Sequence, residues 1–488
     1  MQSLWRQNTT LPQFPTLSGN LKTQAIVIGG GLAGILTAYF LEQKKIRTVV
    51  LEAEQIGSGQ SSKTTAKVTS QHNLRYHRLI QEFGLTQARM YADANQHAIG
   101  AYKQLIQEQF IDCDWEELPA FLYSCADSQM LEQEAQAASS LGIPASFTQQ
   151  CELPFPVQGA LRFDNQAQFH PLRLLRSLAS SLSIYEHTRV LSVDGHRVQT
   201  DHGTVEGDCV IFACHYPFIN HPGYYFMRMH QERSYVLALK GPKRLRGMYL
   251  GIDPDNGWSM RSWNHLLLLG GGGHRTGENR EGSRYRQLRQ KAREWWPEAH
   301  EIAHWSAQDC MTLDGIPYIG RYSASEPDWY VATGFGKWGM THSMVSALLI
   351  TDLITGITSP WEGIFSPQRF TVRASASNFI KDGAHTARDL GRRFFAAARE
   401  EIGELGSGRG GIVESEGEKI GVYKDPQGQI FAVRPVCPHL GCQLEWNPDE
   451  LSWDCPCHGS RFDYRGELLD GPAQSSLLPP HTSIAISK

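Results

Sequence analysis

Gly29, Gly31 and Gly34 restrict the path of the chain more than any other residues in the sequence. They follow the apolar run AIVI and open the helical pattern LAGILTAYFLEQ, at G-x-G-x-x-G spacing. Gly29 permits a tight turn, Gly31 lets the backbone approach a pyrophosphate, and Gly34 lets helix and strand pack closely. IRTVVLEAE supplies a second strand ending in Glu52, where a carboxylate accepts hydrogen bonds from a ribose. The unit predicts a β-α-β dinucleotide site, with Leu32 and Ala33 at a helix start whose free N–H groups meet phosphate. A glycine turn of purely structural use is the competing reading.

A chain of 488 residues exceeds one compact core, so two or three domains are expected. With 41% hydrophobic and 20% charged residues and a net charge of -4, no cationic surplus is available for nucleic acid or anionic membrane. MQSLWRQNTTLPQFPTLSGN lacks the basic region and apolar run of a secretory signal. SMVSALLITDLITGI is broken by Asp352 and too short to cross a bilayer. A cytoplasmic, soluble protein is therefore expected.

Further along, EHTRVLSVDGHRVQTDHGTVEGDCVIFAC reads as a β-meander returning to a buried strand, with turns at Asp194-Gly195 and His202-Gly203. WYVATGFG is another buried strand, and GMTHSMVSALLITDLI the helix after it. A basic helical segment runs from about Arg388 to Glu400, GELGSGRGG reads as a glycine-rich linker, and short strands and turns fill the rest.

IGSGQSSKTTAKVTSQH follows Glu52 with small hydroxyl residues suited to packing against a large planar cofactor, among them Ser61, Ser62, Lys63 and Thr64. Together with TLDGIPYIGR and WYVATGFGKWGMTHS, the ensemble resembles the FAD-dependent amine and amino-acid oxidoreductases that include D-amino-acid oxidase, glycine oxidase and monomeric sarcosine oxidase. The resemblance implies an α/β fold, with a Rossmann-like FAD-binding domain and an interleaved antiparallel-sheet substrate domain over residues 22–360. It implies Val190 and Ala213 on the adenine side. Gly334, Gly336, Gly339, Met340 and Thr341 fall by the flavin ring, where a helix start supplies partial positive charge. LLLLGGGGHRTGE contains no second G-x-G-x-x-G in any frame, so electrons leave by another route than a nicotinamide. Cys310 stands about three residues out of register with the covalent attachment point of some relatives, and FAD is expected to be non-covalent.

Of ten cysteines, four fall between Cys437 and Cys457, and the others are scattered. CPHLGC and CPCHGS give C-x-H at Cys437 and His439, and C-x-x-H at Cys455 and His458. Two thiolates and two imidazoles suit a Rieske 2Fe-2S cluster, the imidazoles raising its potential. Tetrahedral zinc is the competing reading of the donor set. The repeated proline and glycine, with GPA at Gly471 to Ala473, resemble a small all-β Rieske domain, placed at 405–488 behind a helical linker at 361–404. In the Rieske proteins of cytochrome bc complexes, cysteines placed like Cys442 and Cys457 form a disulfide. Free cysteines used for packing are the alternative. The resemblance also gives Ser460 a hydrogen bond to cluster sulfur, while Phe462 stands where that family has a tyrosine; Tyr464 is a nearby substitute.

The combined expectation is a dehydrogenase of a small amine-like substrate, passing electrons from flavin through the cluster to an external protein or quinone-like acceptor. An electron-transfer or redox-sensing protein with a protein donor is the alternative. Asp309 stands where amino-acid-oxidising relatives keep a carboxylate-binding arginine, which favours a cationic amine; a loop cap is the plain reading. Lys337 in GFGKWG and His72 complete the candidate catalytic set.

Overall fold

A computed structural model describes residues 2–254, 257–369, 405–415 and 417–481. Its first sheet takes strands from distant parts of the chain, in the order Tyr318–Arg321, Trp329–Thr333, Cys209–Phe212, Ala25–Ile28, Thr48–Leu51 and Ser183–Tyr185. All neighbours are parallel except the pair Tyr318–Arg321 and Trp329–Thr333. The four central strands are buried at every residue, as a parallel sheet covered on both faces requires. Their side chains alternate between two cores. Val27, Val50 and Ile211 join one with the helices Leu32–Gln43 and Gly339–Thr355, and Ile28, Leu51 and Phe212 join another under the meander. That meander runs Val190–Asp194, Arg197–Thr200 and Gly203–Glu206.

The second sheet has nine strands and is interleaved with the first in sequence. Its edge ribbon pairs Met229–Lys240 with His300–Thr312 along an almost unbroken antiparallel register. The glycine run Gly270 to Gly273 lies inside a strand, since Leu266–Arg275 continues through it. Beyond the helix Glu362–Phe365, Arg369 buries its guanidinium against Asp314 at 2.8 Å. The basic helical segment expected at Arg388 to Glu400 lies outside the described residues.

The C-terminal part is two small antiparallel sheets, one of Arg409–Ser415, Glu418–Lys424 and Ile430–Val433, the other of Glu445–Asn447, Ser452–Asp454, Arg461–Asp463 and Leu468–Asp470. Part of the glycine-rich linker is therefore strand. A Cβ on Gly410 would come within 2.4 Å of the Trp446 ring, so this glycine makes room for an indole rather than loosening the chain.

Candidate cofactor sites and the cavity beside them

The first glycines build a cradle. Gly29 has φ +114, and a Cβ there would stand 2.6 Å from the Ala213 carbonyl oxygen; at Gly34 it would stand 2.0 Å from the Gly29 carbonyl oxygen. Helix, turn and neighbouring strand thus touch through backbone alone. The Leu32 N–H donates to Ser61 Oγ at 2.8 Å, and the Gly30 N–H to Glu52 Oε2 at 2.6 Å. Burial raises the Glu52 carboxyl, against two backbone N–H groups that favour its charged form.

A cavity of about 1010 Å³ runs from this cradle across the first sheet to the second. Gly29, Gly31, Leu32, Ala33 and Glu52 line one end with Ser61, Lys63, Thr64, Val190 and Ala213. Gly334, Gly336, Lys337, Gly339, Met340 and Asp309 line another part. A polar, glycine-rich wall at one end, and beyond it glycines beside Phe335, Trp338 and Met340, fit an elongated dinucleotide with a planar ring.

Three expected residues stand off this cavity, and Gly34 acts only in packing. Ser62 donates its hydroxyl to Ser58 O and Gly59 O inside its own turn. Thr341 donates to Thr69 O and accepts the Thr69 N–H, because each helical step turns about 100° and carries it away from the face of Met340. His72 is fully buried between Thr69 O and Tyr91 Oη, each 2.7 Å away, and stacks on Trp338 at 4.8 Å. Trp338 lines the cavity; His72 lies one ring behind it and is kept neutral by burial.

The ribbon carries the charged groups. Glu232 faces Asp309 across the ladder and pairs with Lys337 Nζ at 2.8 Å. Burial pushes Glu232 up, but the hydrogen bond from His230 and the Lys337 ammonium outweigh it and hold the carboxyl well below the usual range. Asp309 is raised to about 6 by burial, with Lys337 acting against the shift and Glu232 with it. Lys337 has φ +69, a left-handed backbone that a non-glycine residue adopts only where its surroundings impose it. Sequence reasoning missed Glu232, which is 77 residues from Asp309 and carries no motif. It also missed Lys67, whose Nζ donates to Tyr249 O and Ser259 Oγ at 2.7 Å and which burial lowers to about 7.

In the C-terminal part, Cys437 and Cys455 are buried free thiols. The Nδ1 atoms of His439 and His458 are buried with no hydrogen-bond partner among the described residues. The two imidazoles stand 5.0 Å apart at 89°. Two orphaned ring nitrogens and two thiols that approach one another are satisfied together by a metal centre. Burial lowers both imidazoles, so they are present as neutral donors. Cys442 and Cys457 are joined in a disulfide, so although their sulfurs gather within 4.8 Å of Cys455, only the Cys455 sulfur of the three is free to bind metal. Ser460 hydrogen-bonds the Cys437 sulfur and accepts the Ala473 N–H at 3.0 Å. Phe462 is fully buried opposite Trp453, while the Tyr464 ring packs on Tyr423 and Phe431 at 5.2 and 4.8 Å.

Alternation along the ribbon sets these two centres on opposite sides of it. Glu232, Ser234, Ala307 and Asp309 face the cavity. Gln231, Arg233, Ser306 and Gln308 face the Cys/His loops. Gln231 Nε2 donates to His458 O at 2.6 Å, Gln308 Nε2 to Gly459 O at 2.8 Å, and Arg233 to Glu450.

Comparison with known proteins matches residues 24–353 to the FAD dependent oxidoreductase family and residues 397–482 to the Rieske [2Fe-2S] domain. A Bacillus subtilis protein, YhfW, named as a Rieske 2Fe-2S iron-sulfur protein, is 38% identical over 489 residues, covering 97% of this chain and 96% of that protein. The cytochrome b6-f complex iron-sulfur subunit of Synechococcus elongatus is 42% identical over 77 residues, 16% of this chain and 38% of that one. Glycine oxidase from Geobacillus kaustophilus superposes with a TM-score of 0.62 at 19% identity, over 72% of this chain and 99% of that one. No helix among the described residues is long and apolar enough to cross a membrane. FAD and a Rieske 2Fe-2S cluster are the cofactors of the two matched domains, and the chain belongs to the FAD dependent oxidoreductase family with a Rieske domain added.

Proposed function

We propose that the protein is a dehydrogenase of a small cationic amine, whose C–N bond is oxidised to C=N while two electrons pass singly through the cluster to an external one-electron acceptor. When bound, FAD accepts a hydride equivalent and the cluster accepts single electrons. Everything else falls to side chains of this chain.

The observation that carries the reading is the charge of the cavity wall. Glu232 pairs with Lys337 at 2.8 Å, and Asp309 on the same wall adds a second carboxylate that ionises above about pH 6. A buried carboxylate is costly alone and gains most from an ammonium brought to it. Asp309 would therefore bind and orient the substrate nitrogen. Lys337 would hold Glu232 ionised and keep the loop before the Gly339–Thr355 helix in place. Trp338, Phe335 and Met340 on the wall would exclude water. The helix start at Gly339 presents N–H groups suited to negative charge on the flavin. The name of glycine oxidase, a structural neighbour, agrees with an amine substrate.

The test is anaerobic rapid mixing with amines and amino acids of graded charge. Cationic amines without a carboxylate should bleach the flavin, after which the Rieske electron paramagnetic resonance signal should appear. If no amine does so while a reduced protein partner does, the reading of a protein donor replaces this one.

A further inference from the structure

The cavity has a wall that does not come from the flavin domain. Asp470, which ends the strand Leu468–Asp470, and Gly471, Pro472 and Ala473 in the turn that follows line it together with Leu468 and Leu469. The turn is held from two sides. Gln60 Nε2 donates to Asp470 Oδ1 at 3.1 Å, with Lys63 Nζ at 3.9 Å, and both Gln60 and Lys63 belong to the segment that lines the cavity beside the glycine cradle. Gln231 Nε2 reaches the Gly471 carbonyl at 3.2 Å from the ribbon. At its far end the Ala473 N–H is bonded to Ser460, which touches the Cys437 sulfur. One continuous run of backbone thus borders the flavin cavity at Asp470 and the cluster at Ala473.

The geometry points to a flavin site completed by the Rieske domain, in which Asp470 is a positioning residue: latched by Gln60 and Lys63, it fixes the turn, and the cluster behind it, at the distance from which the cluster takes electrons. The inference rests on the reading that electrons pass from flavin to cluster within one chain. The step moves one electron from the reduced ring to one ferric iron, which becomes ferrous; no bond forms or breaks. Gln231, Gln308 and Arg233 hold the Cys/His loops on the ribbon, and the latch fixes the one turn that also borders the flavin cavity. Asp470 also pairs with Arg461 Nη1 at 3.1 Å inside its own domain, so replacing its charge leaves the turn a local partner.

The experiment uses the full chain with both cofactors and reduces the FAD by light with a deazaflavin sensitiser, which removes substrate chemistry from the result. In the native protein the cluster should be reduced in a first-order step independent of protein concentration. In Asp470→Asn, and in Gln60→Ala, that step should slow by about tenfold or more. Rates are taken per bound FAD, and the dithionite-reduced Rieske signal should stay at native levels. An unchanged rate in both variants overturns the inference. Should Asp470→Asn fail to assemble its cluster, Gln60→Ala, altered only on the flavin side, decides alone. A native protein whose cluster is not reduced by its own flavin would instead overturn the proposed function, and the two failures are told apart by the native sample.

Discussion

His439 Nε2 lies 2.9 Å from Asn220 Oδ1, so an imidazole of the Rieske domain is held by an amide of the flavin domain. As the proposed metal-facing atom, the orphaned Nδ1 would leave Nε2 as the N–H donor. Donation to Asn220 pushes electron density onto the ligand and favours the oxidised, more positive cluster. Phe226 stands edge-on to both rings, 6.4 and 5.7 Å away, so the imidazole edge is covered by the same chain.

Asn220→Leu is therefore expected to raise the cluster midpoint potential. A neutral hydrogen bond contributes about 0.5–1.5 kcal/mol, and only its difference between oxidation states counts, so the shift is on the order of tens of millivolts. Redox potentiometry followed by electron paramagnetic resonance measures it. A fall, or no change, would contradict the assignment of Nε2 as donor.

Ser460→Ala should move the potential the other way. Its hydroxyl bonds the Cys437 sulfur, and such a bond stabilises the more negative, reduced cluster. The opposed signs of the two variants separate specific tuning from general loosening of the domain.

Asp309→Asn should weaken the binding of a cationic amine and remove a pH dependence. In the native protein, binding should strengthen as pH rises through about 6, where the buried carboxyl ionises. Steady-state KM against pH, or anaerobic titration, reads both effects. The same pH limb in Asp309→Asn would assign it to another group.

Glu450 pairs with Arg233 and Arg461 where the two domains meet. Burial acts to raise its carboxyl, but the two guanidinium groups prevail and lower it to about 2. A carboxyl depressed in the folded state contributes stability above its unfolded value and loses it as pH falls through the folded one. Thermal denaturation should show domain docking weakening from about pH 4.5 down to about pH 2. Glu450→Ala, which leaves Arg233 buried beside Ser306, should cost roughly 3–5 kcal/mol at neutral pH.

Gly410→Ala should destabilise the Rieske domain by about 1–3 kcal/mol, since the added methyl meets the Trp446 ring. Chemical denaturation followed by tryptophan fluorescence would report it.

What the sequence disclosed were the sites whose chemistry is local. The glycine cradle and the two Cys/His loops are each set by residues a few positions apart, and their spacing carries the geometry. Glu232 opposite Asp309 depends on the register of two long strands, which no short window contains. Gly410 read as linker because the indole it accommodates lies 36 residues later. Thr341 and Ser62 adjoin cavity residues in sequence but not in space, because helix and turn rotate successive side chains apart. The Asp470 turn was legible only as part of a cluster motif; its second role requires two domains to be seen together.

The strand Trp329–Thr333 sits inside the first sheet, between Cys209–Phe212 and Tyr318–Arg321. During synthesis, the backbone edge of Cys209–Phe212 therefore stays open while more than a hundred further residues emerge. An open, fully apolar edge is the kind that pairs with neighbouring chains. Premature termination anywhere in that interval would release a fragment prone to aggregate rather than a smaller working flavoprotein, and a chaperone would have most to do on the ribosome just there.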